Sequence, residues 1–169
     1  MILNRTKLLC STFALLLLVA GAASGQEMTQ HSGQNVSDMK LGNIPGLPTC
    51  AVGSVQSGDP TNGPSFILAK APAGCVIPWH WHTPNERLMI VSGSARLEMK
   101  DGKALTLRVG GFALLPTREV HQFRCLTECM LYVHSDVAFD IHYVDKSGNE
   151  ISPADAMKMV KEKAATQMK

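Results

Sequence analysis

Between residues 49 and 145 the apolar positions fall into short β-prone runs separated by turn residues. The runs lie at 66–69, 75–81, 87–91, 95–99, 104–107, 112–115, 120–124, 130–134 and 139–144. The breaks between them carry Pro72-Ala73-Gly74, Thr83-Pro84-Asn85, Ser92-Gly93, Asp101-Gly102 and Gly110-Gly111. Many short strands at this spacing predict an all-β barrel or sandwich. Asp101-Gly102 predicts a two-residue hairpin turn. The pattern changes on both sides of this block. Residues 26–48 are rich in Gly, Ser, Gln, Asn and Pro and read as a flexible or loosely docked arm. Residues 146–169 contain a helix signal. Ser152 stands at an N-cap, Pro153 at the first helical position and Asp155 in the N-terminal turn. Met157, Val160 and Ala164 supply the face that packs on the barrel.

The first 25 residues follow a different logic. Arg5 and Lys7 precede an apolar run over 8–20, and Gly21, Ala22, Ala23, Ser24 and Gly25 are small. This is the pattern of a cleaved secretory signal peptide. The run is short for a membrane span and no stop-transfer segment follows, so no stable span is expected after cleavage. An uncleaved N-terminal anchor is the competing reading. The expected location is periplasmic or secreted.

Composition narrows the classes. With 169 residues, 45% hydrophobic and 18% charged, the chain suits one folded domain plus an appendage. Arg5 and Lys7 lie in the leader, so 14 Lys and Arg face 14 Asp and Glu from Gln26 onward. A mature chain near neutrality lacks the basic surface that a general nucleic-acid or anionic-membrane binder needs. Four cysteines follow the leader: Cys50, Cys75, Cys125 and Cys129. Export permits disulfides. Cys125 and Cys129 flank Leu126-Thr127-Glu128, a candidate hairpin turn whose strand ends a Cys125–Cys129 bridge would join. The alternative is four small buried hydrophobes.

The chemistry concentrates between Gly74 and Gly93. On a strand, residues two apart share a face, so His80 and His82 project together. Thr83-Pro84-Asn85 turns the chain, and Glu86 reaches the same centre from the next strand. His121, on a later strand, completes the group. Three imidazoles and a carboxylate form a nitrogen–oxygen site for one divalent transition metal: Fe, Mn, Ni, Co, Cu or Zn, in preference to Ca or Mg. Glu86 is a ligand or a catalytic base. His31, His134 and His142 fit no ligand spacing and are assigned to surface or satisfied core. The roles of Cys75, His134 and His142 stay open.

In these residues the chain resembles the cupin superfamily. Its first motif is Gly, five residues, His-x-His, three or four residues, Glu, six residues, Gly; Gly74, His80, His82, Glu86 and Gly93 match. Its second is Gly, five residues, Pro-x-Gly, two residues, His, three residues, Asn. Gly110, Pro116 and His121 match, while Arg118 replaces the glycine and Cys125 the asparagine. The resemblance implies a small double-stranded β-helix, or jelly roll, of two antiparallel sheets with one metal inside its mouth. It covers roughly residues 50–140. The expected organisation is therefore 1–25 signal peptide, 26–48 arm, 49–145 barrel and 146–169 C-terminal helix.

Strand parity extends the reading to the pocket. If His80 and His82 face inward, so do Val76 and Pro78, while Ile77, Trp79 and Trp81 face outward. Leu88 and Ile90 share parity with Glu86, and Phe123 with His121. The expected pocket wall is apolar and suits a small, partly apolar or aromatic ligand. Two outward tryptophans would meet another layer or a second subunit, and a homodimer is expected. The resemblance implies a metal-dependent oxidoreductase similar to the cupin dioxygenases. A non-catalytic metal or small-ligand binding module, for sensing or sequestration, is the rival. A sugar isomerase or epimerase ranks third. The same fold serves several chemistries, so whether the chain is an enzyme stays open at this level.

Overall fold

The computed structural model describes residues 33–167, with α1 side chains placed as far as Glu162. The predicted leader and His31 lie outside these residues. The described chain forms β1 (Gly42–Asn43), β2 (Val52–Gly58), β3 (Ser65–Ala71), β4 (Val76–Trp81), β5 (Glu86–Ser92), β6 (Ser94–Met99), β7 (Leu105–Arg108), β8 (Phe112–Leu115), β9 (His121–Cys125), β10 (Cys129–Ser135), β11 (His142–Tyr143) and α1 (Pro153–Gln167). One antiparallel sheet has the order β1-β2-β3-β10-β5-β8 and the other β11-β4-β9-β6-β7. This is the expected all-β barrel of two sheets with a C-terminal helix.

Alternation along the strands explains the core. Glu86, Leu88 and Ile90 of β5 are buried while Arg87 and Met89 are only half covered. Ala113 and Leu115 of β8 are buried between exposed Phe112 and Leu114. Inward residues of the first sheet, Ala69, Leu88, Ala113 and Leu131, meet Ala95, Leu97, Leu107 and Phe123 of the second in one cluster. Burying such apolar side chains is the main favourable contribution to the fold.

Each of the nine expected runs contains a strand, though 139–144 shrinks to β11. β1 and β2 were not expected. β2 is rich in Gly and Ser and mostly half-exposed, so neither periodicity nor propensity marks it; its pairing with β3 makes it a strand. The β6–β7 hairpin exists, but Leu97 pairs with Leu105 and β6 stops at Met99, so the loop is longer than two residues. At α1 the expected cap is present. The Asp155 amide donates to Ser152 Oγ (3.2 Å) and the Ser152 hydroxyl donates to Asp155 Oδ2 (2.7 Å). Ala156 is buried and Met157 and Val160 half-buried. The side chain of Ala164 lies outside the described ones.

The structure bears on two expectations. The described part of the arm is docked, the second of its two readings. Ile44 and Leu47 pack against the core, and the Tyr143 hydroxyl donates to Gly46 O (2.8 Å). The second concerns residues 125–129, which form no hairpin. β9 belongs to one sheet and β10 to the other, so this turn is a corner where the chain crosses between layers. A Cys125–Cys129 disulfide spans the corner, and a second joins Cys50 to Cys75. The two tryptophans differ in burial: Trp81 is buried and Trp79 half-buried. Trp81 stacks on His142, with ring centroids 3.9 Å apart, and Trp79 lines a groove shared with Ala156, Met159 and Val160 of α1. Among the described residues no helix is long and apolar enough to cross a membrane.

Candidate metal centre

The site forms where the two sheets meet at one end of the barrel. His80 lies on β4 directly opposite His121 on β9, and His82 follows the end of β4. Glu86 opens β5 in the other sheet. The chain turns between them through buried Pro84. The turn is tied to its neighbours. Asn85 donates through its amide nitrogen and side chain to Asp136 (3.0 and 2.7 Å), Thr83 N donates to Asp140 Oδ1 (2.7 Å), and Thr117 N donates to Asn85 Oδ1 (3.2 Å). These bonds fix where Glu86 enters its strand. Arg118, which stands where the second motif has glycine, takes a left-handed φ of 61°. Its amide donates to His82 O (2.9 Å) and its guanidinium lies 4.6 Å from the Trp81 ring centre, contacts that offset the strain.

The four side chains are almost fully buried, with relative exposures of 3% for His80, 2% for His82, 6% for Glu86 and 1% for His121. Each imidazole is held through Nδ1 by a backbone carbonyl. His80 uses Pro78 O (2.6 Å), His82 uses Asp140 O and His121 uses Glu119 O (2.8 Å). A carbonyl only accepts, so each Nδ1 carries a hydrogen and Nε2 is left as the atom that can ligate. One ligand atom from each of the three rings lies within 4.8 Å of the others. Glu86 adds carboxylate oxygens 3.6 Å from His82 Nε2 and 3.3 Å from His121 Nε2. His82 Nε2 and Glu86 Oε2 have no hydrogen-bond partner.

This donor set fits a metal ion. Buried polar groups need partners, and lone pairs gathered around one point cannot supply them to each other. A cation satisfies all of them, and the Nδ1–carbonyl bonds are the orientation that metal-bound histidines commonly have. Burial, reinforced by the neighbouring His121 and His82, holds His80 well below its ordinary value of 6.5. Burial also lowers His82, against the opposing pull of Glu86 and the Asp140 carbonyl. Both rings are thus neutral and ready to ligate near neutrality.

That protonation state has a measurable consequence. The unfolded chain takes up protons on these histidines below 6.5 while the fold resists them. The unfolded state then binds more protons, so their contribution is complete above 6.5 and is lost progressively below it, down to the lowered values of the folded rings. Metal-free protein should show a falling Tm from about pH 7 to about pH 5 in a thermal titration. A Tm that rises over that window would mean the rings are charged in the fold.

Below the four residues lies an apolar cavity of about 60 Å³. Leu88 and Phe123 line it as expected. Ile90 is buried in the core but does not reach it. Val76 and Pro78 do not line it either; Cys75 and Ile77 do. The reason is a register shift in β4 between Ile77 and His80, where it pairs with β9. The bulge reverses parity, so the residues before it face opposite to those expected from His80, and Pro78 faces the α1 groove. Its carbonyl is the one that holds His80. Sequence reasoning missed Ile44, Leu47 and Phe139, which also line the cavity; the Phe139 ring lies 4.8 Å from that of His82. His134 and His142 lie elsewhere. His134 contacts Arg87 and Phe66, and His142 pairs with Asp140 and Glu150. Cys75 is bonded to Cys50.

Residues 67–135 match the family model of the cupin domain. The barrel is therefore a domain of the cupin superfamily, and its three buried histidines are positioned to bind a metal. The polyketide cyclase RemF of Streptomyces resistomycificus is similar in fold, with a TM-score of 0.59 at 17% identity over 69% of this chain and 87% of that one. A candidate acetylacetone dioxygenase of Methylibium petroleiphilum gives 0.57 at 13% identity over 73% and 87%. An RmlC-like cupin of Shewanella frigidimarina gives 0.53 at 15% identity over 63% and 91%. At these identities the likeness is one of fold. No curated protein matches the chain in sequence.

Proposed function

We propose that this protein is a metal-dependent oxidoreductase of dioxygenase type, acting on a small, partly apolar or aromatic molecule that carries oxygen donors. The observation that carries the reading is the convergence of three buried imidazoles, with the Glu86 carboxylate against two of them, at the head of an apolar cavity. His80, His82, His121 and Glu86 would hold the ion. A bound divalent transition metal supplies Lewis acidity and, for a redox-active ion, electron transfer toward O₂. The protein does the rest. The three Nδ1–carbonyl bonds keep the rings from turning. Glu86 is placed to take a proton from an enol or phenol entering beside His82 and His121. The walls formed by Ile77, Leu88, Phe123 and Phe139 exclude water from an electron-rich substrate. An enolised diketone, the compound class named for the Methylibium neighbour, has the donor oxygens this reading needs.

The small cavity favours a second reading, a binding module that sequesters or senses a metal or a small ligand. Export from the cytoplasm is part of the proposal. The leader pattern and the two disulfides support it, since disulfides persist in oxidising compartments.

Oxygen consumption by protein loaded in turn with each candidate metal, against a panel of phenols and diketones, separates the two. The enzyme reading expects O₂ uptake with one metal form and one compound class. It also expects Glu86→Gln to lower turnover more than metal content. Fully loaded protein that binds the panel compounds and consumes no O₂ would establish the binding module instead.

A further inference from the structure

The cavity beside the metal centre is too small to hold a whole substrate of ordinary size. Small-molecule sites usually measure several hundred cubic ångströms, and this one measures about 60 Å³. A second pocket, of about 160 Å³, lies on the far side of Ile44, Ile67 and Phe139, three residues that line both. The outer pocket differs in character. Its lining adds Asn43, Ser54 and Thr61, whereas the inner cavity is apolar apart from the metal cluster and Lys70.

Two of the side chains that stand between the pockets are seated by backbone features. Ile44 occupies the niche left by Gly53, where a Cβ would lie 2.7 Å from its Cδ1. Phe139 is fixed by its own amide, which donates to Pro60 O (2.8 Å), and its ring meets His82. Of these two, Ile44 belongs to the N-terminal arm and Phe139 to the segment joining β10 to β11.

We propose that the site takes an elongated ligand. An oxygen-donor head sits at the histidines, an apolar middle passes between Ile44 and Phe139, and a polar tail lies in the outer pocket among Asn43, Ser54 and Thr61. Ile44 and Phe139 are then the residues that set the girth of the ligand, and the outer pocket sets its length. This rests on the metal-dependent reading above and adds to it a substrate class: linear or singly substituted molecules with the metal-binding group at one end.

The test uses the mature chain loaded with Co²⁺, whose visible spectrum reports both metal loading and entry of a donor into its coordination. The probes are acetohydroxamate, which is a head alone, hexanohydroxamate, which adds a straight apolar tail, and benzohydroxamate, which adds a ring. Hexanohydroxamate should bind at least about tenfold more tightly than acetohydroxamate, because added methylenes are buried. Val55→Trp, at an exposed position lining the outer pocket, should remove about tenfold of the hexanohydroxamate affinity and leave acetohydroxamate within about twofold. Ile44→Ala should widen the passage and improve benzohydroxamate binding by about tenfold. Equal affinities for the head and the tailed probe, or a tailed probe indifferent to both variants, would overturn the elongated-ligand proposal while leaving the metal centre intact. A Co²⁺ spectrum that no hydroxamate perturbs would instead refute an open coordination position, and with it the functional reading. If Val55→Trp loses the Co²⁺ spectrum, the Ile44→Ala comparison decides: unchanged benzohydroxamate binding overturns the proposal.

Discussion

Replacing His121 with alanine is expected to weaken metal binding by at least about two orders of magnitude while the barrel stays folded. The size follows from sharing. A structural zinc site of four ligands contributes on the order of 10–16 kcal/mol, so on that scale one ligand accounts for roughly 3 kcal/mol, and each 1.4 kcal/mol is about tenfold. His121 is the ligand to remove because it pairs with His80 across β4 and β9 and faces Glu86 at 3.3 Å. Its loss leaves the remaining donors without a third corner. The metal-free variant should be only modestly less stable than metal-free wild type. The deleted ring leaves a cavity, which costs stability, but it also removes one lone pair from a cluster that has too many. Metal should separate the two proteins clearly. At about a thousandfold excess over Kd it stabilises a binding fold by about 4 kcal/mol, an increment the variant should lack. Chelator competition gives the affinity and thermal unfolding with and without metal gives the increment. Stoichiometric metal retained by a folded His121→Ala protein would remove His121 from the site.

The legible and illegible parts of this centre divide along a physical line. His80, His82, Glu86 and His121 could be read from the chain because their chemistry is in the side chain and their convergence follows from strand period and turn position. What holds them is backbone. The carbonyls of Pro78, Glu119 and Asp140 orient the three rings, and no residue type announces a carbonyl that will accept from a histidine. The parity error has the same origin. Pro78 lies within the run 75–81, and a proline inside a strand marks an edge or a bulge. That signal was available, and following it would have placed Ile77 rather than Val76 in the cavity. Ile44 and Leu47 were hidden for another reason. They are isolated apolar residues in a segment rich in Gly, Asn and Pro, so local pattern gives them no partner. Their contacts lie with β-strands far along the chain. β2 was missed on similar grounds, since its strand character comes from pairing with β3. The barrel itself was easier. Eight of its strands follow from repeated alternation between turn residues, a signal that each contributes independently.

Gly93→Ala is the substitution expected to damage the fold most, by at least about 3 kcal/mol, or roughly 10 °C in Tm for a domain of this size. Gly93 joins β5 of one sheet to β6 of the other. It packs against the corner at 126–128, where β9 gives way to β10. Leu126 N and Thr127 N donate to Ser94 O (2.9 and 3.3 Å), and Ser94 N donates to Thr127 Oγ1 (2.9 Å). Two crossings of the barrel therefore lie back to back, and Gly93 is the point of contact. Its φ is +75°, and an added Cβ would lie 2.0 Å from Glu128 O and 2.8 Å from Thr127 Oγ1. Conformational strain and collision can be separated with Gly74, which has φ +80° but open space where a Cβ would stand. Gly74→Ala should cost only the left-handed penalty, about 1 kcal/mol. Gly63→Ala, with nothing within 4 Å and no unusual φ, should change stability by less than about 0.5 kcal/mol. The order Gly93, Gly74, Gly63 in loss of Tm is the expected result. Equal losses at Gly93 and Gly74 would mean that the second corner yields freely, and that the contact between the two crossings does not hold the sheets in register. Because Glu86 and Gly93 bound the same strand while His121 begins the strand that ends at the second corner, a slackened corner should also reach the metal centre. Metal affinity measured on whatever folded Gly93→Ala protein survives should be lower than wild type, whereas Gly74→Ala should retain it.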